Sequence, residues 1–282
     1  MRARLTTFVR AGLEFDVVDA GPLDGPVVVV LHGFPQTATS LAELTALLNA
    51  RGYRTLAPNQ RGYAPGARPR GRLAYRMSEL VADVLALVDE LDRGPVHLVG
   101  HDWGAMVAWS MAATRPERVR TLVTLSVPHP GAFVRSLVSS DQLLRSYYMG
   151  LFQLPVLPER LLRARPELLD RMLARSGMSA AAIARVHSEI IDAGALTGAL
   201  NWYRALVAGS PRTATARVGV PVTHVWGSGD TALSRRGAEL AGQYVTGQYR
   251  LVVLDGASHW LPEERPAELA DLIAERVESV AV

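Results

Sequence analysis

The stretch Pro95-Val96-His97-Leu98-Val99-Gly100-His101-Asp102-Trp103-Gly104-Ala105-Met106-Val107-Ala108-Trp109 decides the fold. It begins as an apolar run and ends as a helix-compatible run, with Gly100-His101-Asp102-Trp103-Gly104 between them. Strand, tight turn and helix in that order make a nucleophile elbow. The two glycines let strand and helix crowd together, and the middle residue is held exposed at the strand's end. The usual middle residue is serine; here it is Asp102. A carboxylate attacking an amide or ester makes an anhydride-like adduct, whereas attack at a saturated carbon makes an alkyl ester of the protein. The aspartate therefore moves the expected chemistry from acyl transfer to ring opening or halide displacement. Taken alone, the five residues also fit a plain helix N-cap, a position that Asp favours.

Working outward, short β-rich runs alternate with helical patterns. Strands are expected at Phe15 to Asp19, Val27 to Leu31, Arg54 to Ala57, Val96 to Val99, Val119 to Val127, Val222 to Trp226 and Tyr249 to Leu254. Ser40-Leu41-Ala42-Glu43 reads as a capping box whose helix ends near Gly52. Ser78 opens a helix with Leu80, Val81, Val84, Leu85, Val88 and Leu91 at helical spacing, and Pro266 opens a closing helix. Such alternation implies a mostly parallel sheet covered on both faces. From about Gly131 to Pro211 the strand signal stops, and amphipathic helices are expected at Pro158 to Ala164, Pro166 to Ser176 and Ala180 to Ala193. The expected organisation is a core of 1–130 and 212–282 with an all-helical lid of 131–211 over the carboxyl ends of the strands.

Composition removes whole classes of chemistry. The 282 residues contain no cysteine and no lysine, which excludes disulfides, thiolate metal sites, cysteine nucleophiles, Schiff bases and a P-loop lysine. The formal net charge is only +3 and the arginines are scattered, without the aromatic interleaving of single-strand binders, so no nucleic-acid partner is expected. Met1 to Thr7 reads as no signal peptide, and no apolar run approaches the ~20 residues of a membrane helix. A cytoplasmic protein with no membrane partner, a monomer or homodimer, is the expectation.

Three constellations accompany Asp102. His259, in Gly256-Ala257-Ser258-His259-Trp260, follows the last strand, where a general base belongs. Of the other histidines, His97 and His224 lie inside strands, His187 on a lid helix, and His32, His101 and His129 in tight turns. Asp230, at the end of the preceding strand, would orient His259, and the order nucleophile, acid, histidine is that of an α/β-hydrolase. Asp255, nearer in sequence, is the rival. His32-Gly33-Phe34-Pro35 follows a central strand, and the amides of Phe34 and Trp103 take the oxyanion-hole positions.

Together these segments resemble an α/β-hydrolase-fold epoxide hydrolase of the soluble, aspartate-nucleophile type over nearly the whole chain. His32-Gly33-Phe34-Pro35 is similar to that family's oxyanion motif, with His32, Gly33 and Pro35 as its structural members. Arg61-Gly62-Tyr63 is similar to the family's stretch after the next strand, and Gly100 to Gly104 to its elbow. Tyr148-Met149-Gly150-Leu151-Phe152-Gln153 and Asn201-Trp202-Tyr203-Arg204 resemble the two lid segments that carry catalytic tyrosines, which places those roles on Tyr148 and Tyr203. Tyr147 is the neighbour to be distinguished from Tyr148. Asn59-Gln60 and Ala64-Pro65-Gly66-Ala67 depart from the family pattern near the mouth. The resemblance implies a small-molecule epoxide as substrate and no cofactor or metal. Opening an epoxide leaves an alkoxide, which requires the proton donors that two phenols supply. A haloalkane or haloacid dehalogenase and a non-catalytic receptor on the same fold are the alternatives. Phe34 lacks the side-chain donor of a halide cradle, and Trp103 stands where a haloacid enzyme has arginine.

Overall fold

A computed structural model of the chain describes residues 3–209 and 211–280. Its centre is a sheet with strand order β1-β2-β4-β3-β5-β6-β7-β8. The strands are β1 (Thr7–Arg10), β2 (Leu13–Ala20), β3 (Val27–Leu31), β4 (Arg54–Pro58), β5 (Val96–His101), β6 (Val119–Leu125), β7 (Val222–Gly227) and β8 (Tyr249–Leu254). Pairing is antiparallel for β1 with β2 and for β2 with β4, and parallel from β4 through β8. β3 is buried at all five residues, as a strand covered on both faces must be. Its side chains alternate between two cores. Val28 and Val30 pack with helices α1 (Ala42–Ala50) and α14 (Pro266–Glu278), while Val27, Val29 and Leu31 pack with α2 (Met77–Glu90) and α3 (Trp103–Thr114).

Between β6 and β7 the chain runs through α4 (Pro130–Ser139), α5 (Gln142–Arg145), α6 (Tyr147–Phe152), α7 (Leu157–Ala164), α8 (Pro166–Arg175), α9 (Ala180–Val186), α10 (Leu196–Ala205) and α11 (Pro211–Ala214). No strand interrupts them among the described residues. After β7 come α12 (Arg235–Ala241) and, before α14, α13 (Leu261–Glu264). Side chains tie the inserted helices to loops at the carboxyl ends of the strands. The Glu189 carboxylate accepts from the Thr37 and Thr39 hydroxyls at 2.6 and 2.8 Å. Arg185 pairs with Glu263, and the Trp260 indole donates to Ser176 Oγ at 3.0 Å.

Several elements differ from the sequence reading. The capping box does not form: Thr37 caps a 3-10 turn over Ala38–Leu41, Ser40 is buried inside that turn and donates to the Thr37 carbonyl, and α1 starts at Ala42 with no side-chain cap. The helix expected through Ala193 loses its α register after Val186 and continues as a π turn, His187–Asp192. β6 stops at Leu125 because Ser126 takes a positive φ of 68°. β1 was not foreseen; it is a four-residue edge strand turned into β2 at Ala11-Gly12, both at positive φ.

Candidate active site

The acid, base and turn residues of the site each stand just past the carboxyl end of a parallel strand. His32 to Pro35 follow β3, Asp102 follows β5, Asp230 follows β7 and His259 follows β8. β3 is where the topology switches sides, since the chain leaves it for β4 on one flank and returns to β5 on the other. The loops diverging from β3 and β5 therefore open a crevice.

The elbow holds Asp102 at φ 51° and ψ −119°, a strained backbone for a non-glycine residue. The crossing of strand and helix explains it. A Cβ on Gly100 would lie 2.4 Å from the Gly104 carbonyl oxygen, and one on Gly104 would lie 2.3 Å from that of Leu31. Asp102 occupies the N-cap position of α3, yet its side chain makes no capping bond. Its carboxylate is turned into the crevice instead, which rules out the plain-cap reading. Gly33 is required for the same approach, because a Cβ there would lie 2.3 Å from the Asp102 Cβ.

The two carboxylate oxygens of Asp102 have different surroundings. Oδ1 accepts from the Phe34 amide at 2.7 Å, and the neighbouring Trp103 amide also favours the charged carboxylate. Oδ2 faces His259 Nε2 at 3.5 Å. On the other side of the ring, His259 Nδ1 donates to Asp230 Oδ2 at 2.8 Å. Asp230 Oδ1 accepts from the Ala232 and Leu233 amides at 2.7 and 2.9 Å, which locks that carboxylate in place. Asp255 does not reach His259: it is exposed and accepts from the Ser228 hydroxyl at 2.9 Å.

These contacts set the charges. Burial works against ionising Asp102, but its contact with His259 and the Trp103 amide hold the carboxyl below the usual carboxylate range. Burial likewise disfavours a charged His259, yet Asp230 and Asp102 on either side raise its pKa to about 10. Burial lowers His32 and His101 to about 4, so both are neutral at pH 7. His32 Nε2 accepts from the Gln60 amide and Nδ1 donates to the Gly33 carbonyl, so its ring shapes the turn that aims Phe34 N–H. The Phe34–Pro35 peptide is cis.

The inserted helices roof the site with aromatics. Tyr203, on α10, lies 4.9 Å edge-on from Trp103 and 5.2 Å from Phe34, measured between ring centroids. Tyr148, on α6, lies 6.1 Å from Tyr203 and interacts with its hydroxyl. Burial pushes both phenols up, helped at Tyr148 by the nearby Asp102 charge and at Tyr203 by Tyr148 and then Asp102, so each holds its proton at neutral pH. Tyr147 points outward and is 73% exposed, which separates it from Tyr148.

Other contributors had no role assigned to them by the sequence pattern. The Ser126 hydroxyl and His101 Nε2 both donate to the His259 carbonyl, at 2.8 and 2.9 Å. Arg145 donates to the Asp230 carbonyl at 2.8 Å, and Gln153 joins α6 to α10 by donating to the Tyr203 carbonyl at 2.8 Å. The Trp202 indole donates to the Arg61 carbonyl, while the Arg61 guanidinium forms a two-pronged buried pair with Asp83. The remaining histidines are structural: His97 bonds Thr121, His224 bonds Thr124, His187 bonds Asp170, and His129 caps α4. Among the described residues no cluster of three or more His, Cys, Asp or Glu is arranged to hold a metal ion.

A family model for the alpha/beta hydrolase fold matches residues 26–266. The AB hydrolase superfamily protein YfhM of Bacillus subtilis is 37% identical over 94% of this chain and 94% of its own. Epoxide hydrolase A of Mycobacterium tuberculosis is 32% identical over 94% of each chain. The crystal structure of epoxide hydrolase A from Mycobacterium thermoresistibile superposes with a TM-score of 0.84 at 28% identity, covering 98% of both chains. The chain belongs to the α/β-hydrolase family and, within it, to the epoxide hydrolases.

Proposed function

We propose that this protein converts an epoxide to a vicinal diol through an ester of Asp102. The observation that carries the reading is the division of labour between the two Asp102 oxygens: Oδ1 rests on the Phe34 amide at 2.7 Å, while Oδ2 faces His259 at 3.5 Å. Oδ2 is the free nucleophile, and Oδ1 already occupies the place where an oxyanion will form.

Oδ2 attacks a ring carbon, the C–O bond breaks, and the epoxide oxygen takes a proton from Tyr148 or Tyr203. The His259 imidazolium makes good that proton. With Asp102 esterified, one of the two charges holding the imidazolium is gone, so its pKa falls and it becomes a competent base. Neutral His259, oriented by Asp230, then deprotonates water. The resulting hydroxide adds to the ester carbonyl, and the charge on Oδ1 is stabilised by the Phe34 and Trp103 amides. Collapse of the adduct releases the diol, restores the carboxylate and leaves His259 protonated. The cycle closes in protons, with no metal or organic cofactor in it. We assign residues 131–211 the part of a lid that supplies the tyrosines and screens the ester from bulk water.

The test is one turnover in ¹⁸O-labelled water with enzyme in excess. The first diol should carry unlabelled oxygen and the Asp102 side chain should gain the label. Label in the first diol would mean direct attack by water. Halide release from haloalkanes without diol formation from epoxides would favour a dehalogenase, and binding with no turnover would favour a receptor.

A further inference from the structure

The inserted helices carry a surface that the reaction does not use. Fifteen large hydrophobic side chains are exposed among the described residues, and eleven of these lie in 134–157 and 206–207. The other four, Val9, Val18, Leu73 and Val253, lie on the sheet and its flanking loops. Val138, Leu144 and Tyr147 are 89%, 77% and 73% exposed. Eight of the eleven lie on elements that adjoin one another: α4 packs on α5, α5 on α6, α6 on α10, and α10 on the 3-10 turn Leu206–Ala208; Leu154, Val156 and Leu157 follow α6 directly in the chain. Neighbouring exposed apolar side chains on a monomer mark a surface that meets a protein partner or a membrane.

Charge identifies the partner. Residues 131–211 hold nine arginines and six acids, so the formal net charge of +3 of the whole chain resides there. Between Gln142 and Pro166 the sole acid is Glu159, which is buried and paired with Arg204. Arg160, Arg163 and Arg165 are exposed beside Val156 and Leu157, with no acidic partner among the described residues. On α7, Leu157, Arg160, Leu161 and Ala164 share one face, opposite the buried Pro158, Glu159 and Leu162. Two copies joined on this face by a two-fold axis would set these like charges together. A bilayer bearing anionic lipids matches both features, since it accepts apolar side chains without needing a groove and offers phosphates to the arginines.

We propose that the α4–α7 face docks peripherally on an anionic lipid surface. The patch adjoins Tyr148, whose ring lies 6.1 Å from that of Tyr147, so a docked molecule would present its site beside the bilayer. Hydropathy along the chain does not reveal such a surface, because it is assembled from short elements and, among the described residues, no helix is long and apolar enough to cross a membrane.

The experiment is flotation of the full chain with vesicles of pure phosphatidylcholine and of an equimolar mixture of phosphatidylcholine and phosphatidylglycerol, with light scattering of the free protein. Binding to the mixed vesicles alone, weakened by salt, is expected. Arg160→Gln and Arg163→Gln should each weaken it roughly fivefold, and Leu144→Asp should abolish it while the circular dichroism spectrum and melting temperature stay unchanged. Absence of binding to the mixed vesicles, or binding that ignores lipid charge, overturns the proposal. A dimer that Leu144→Asp converts to monomer also overturns it, because the face would then be a self-interface.

Discussion

Replacing Asp102 by Asn should lower the pKa of His259 by about three units. The nearest atoms of the two groups are 3.5 Å apart, and unit charges centred about 4 Å apart attract by roughly 4 kcal/mol at the effective dielectric near 20 that suits protein sites. One pKa unit corresponds to about 1.4 kcal/mol, so removing the charge should bring His259 from about 10 to near 7. Asn is close in shape and keeps an oxygen for the Phe34 amide, so the perturbation is mainly electrostatic. It also imitates the esterified state, in which Asp102 has lost its charge. The measurement is a titration of the imidazole ¹⁵N resonances in both proteins, with His259→Gln used to assign the signal among the seven histidines. A shift below one unit would refute the idea that alkylation turns His259 from a counter-ion into a base.

Three further outcomes follow from the same geometry. His259→Gln should still be alkylated but not hydrolysed, gaining the mass of one substrate on the peptide that bears Asp102; Asp230→Ala should slow ester hydrolysis sharply while Asp255→Ala turns over normally. Tyr148→Phe and Tyr203→Phe should each slow alkylation, and the double variant should lose at least the 10²–10⁴-fold of general acid catalysis, read by single-turnover kinetics; normal turnover in a folded double variant would remove the tyrosines from the mechanism. Because the folded pKa of His259 lies above its unfolded value of about 6.5, its stabilisation is complete below that pH and fades as pH rises towards about 10. Denaturant unfolding should therefore show wild-type stability falling across that window and Asp102→Asn nearly flat, and parallel curves would count against the pairing.

The seven strands from β2 to β8 and the chain order of the site are legible in the sequence, because those signals are local. A strand buried on both faces must be apolar at every residue, as Val27 to Leu31 is, and an elbow must place glycine where strand and helix cross, as Gly100 and Gly104 do. The aspartate between those glycines carried the chemistry further than any other residue. Helix and strand ends were less legible. Ser40 to Glu43 matches a capping box, but Thr37 competes for the same turn and wins, a choice made by how the chain enters from the loop after β3.

Only the tertiary structure decided between Asp230 and Asp255. Both follow strands, and the one nearer to His259 in sequence faces solvent. It likewise separated Tyr148 from Tyr147 through the packing of a six-residue helix against α10. The grip of Ser126 and His101 on the His259 carbonyl spans 133 and 158 residues of sequence, and no local pattern encodes such a contact. The apolar face of the inserted helices escaped for the same reason. Periodicity reports which side of one element is apolar, but the area left uncovered depends on how neighbouring elements pack, and that is settled only in three dimensions.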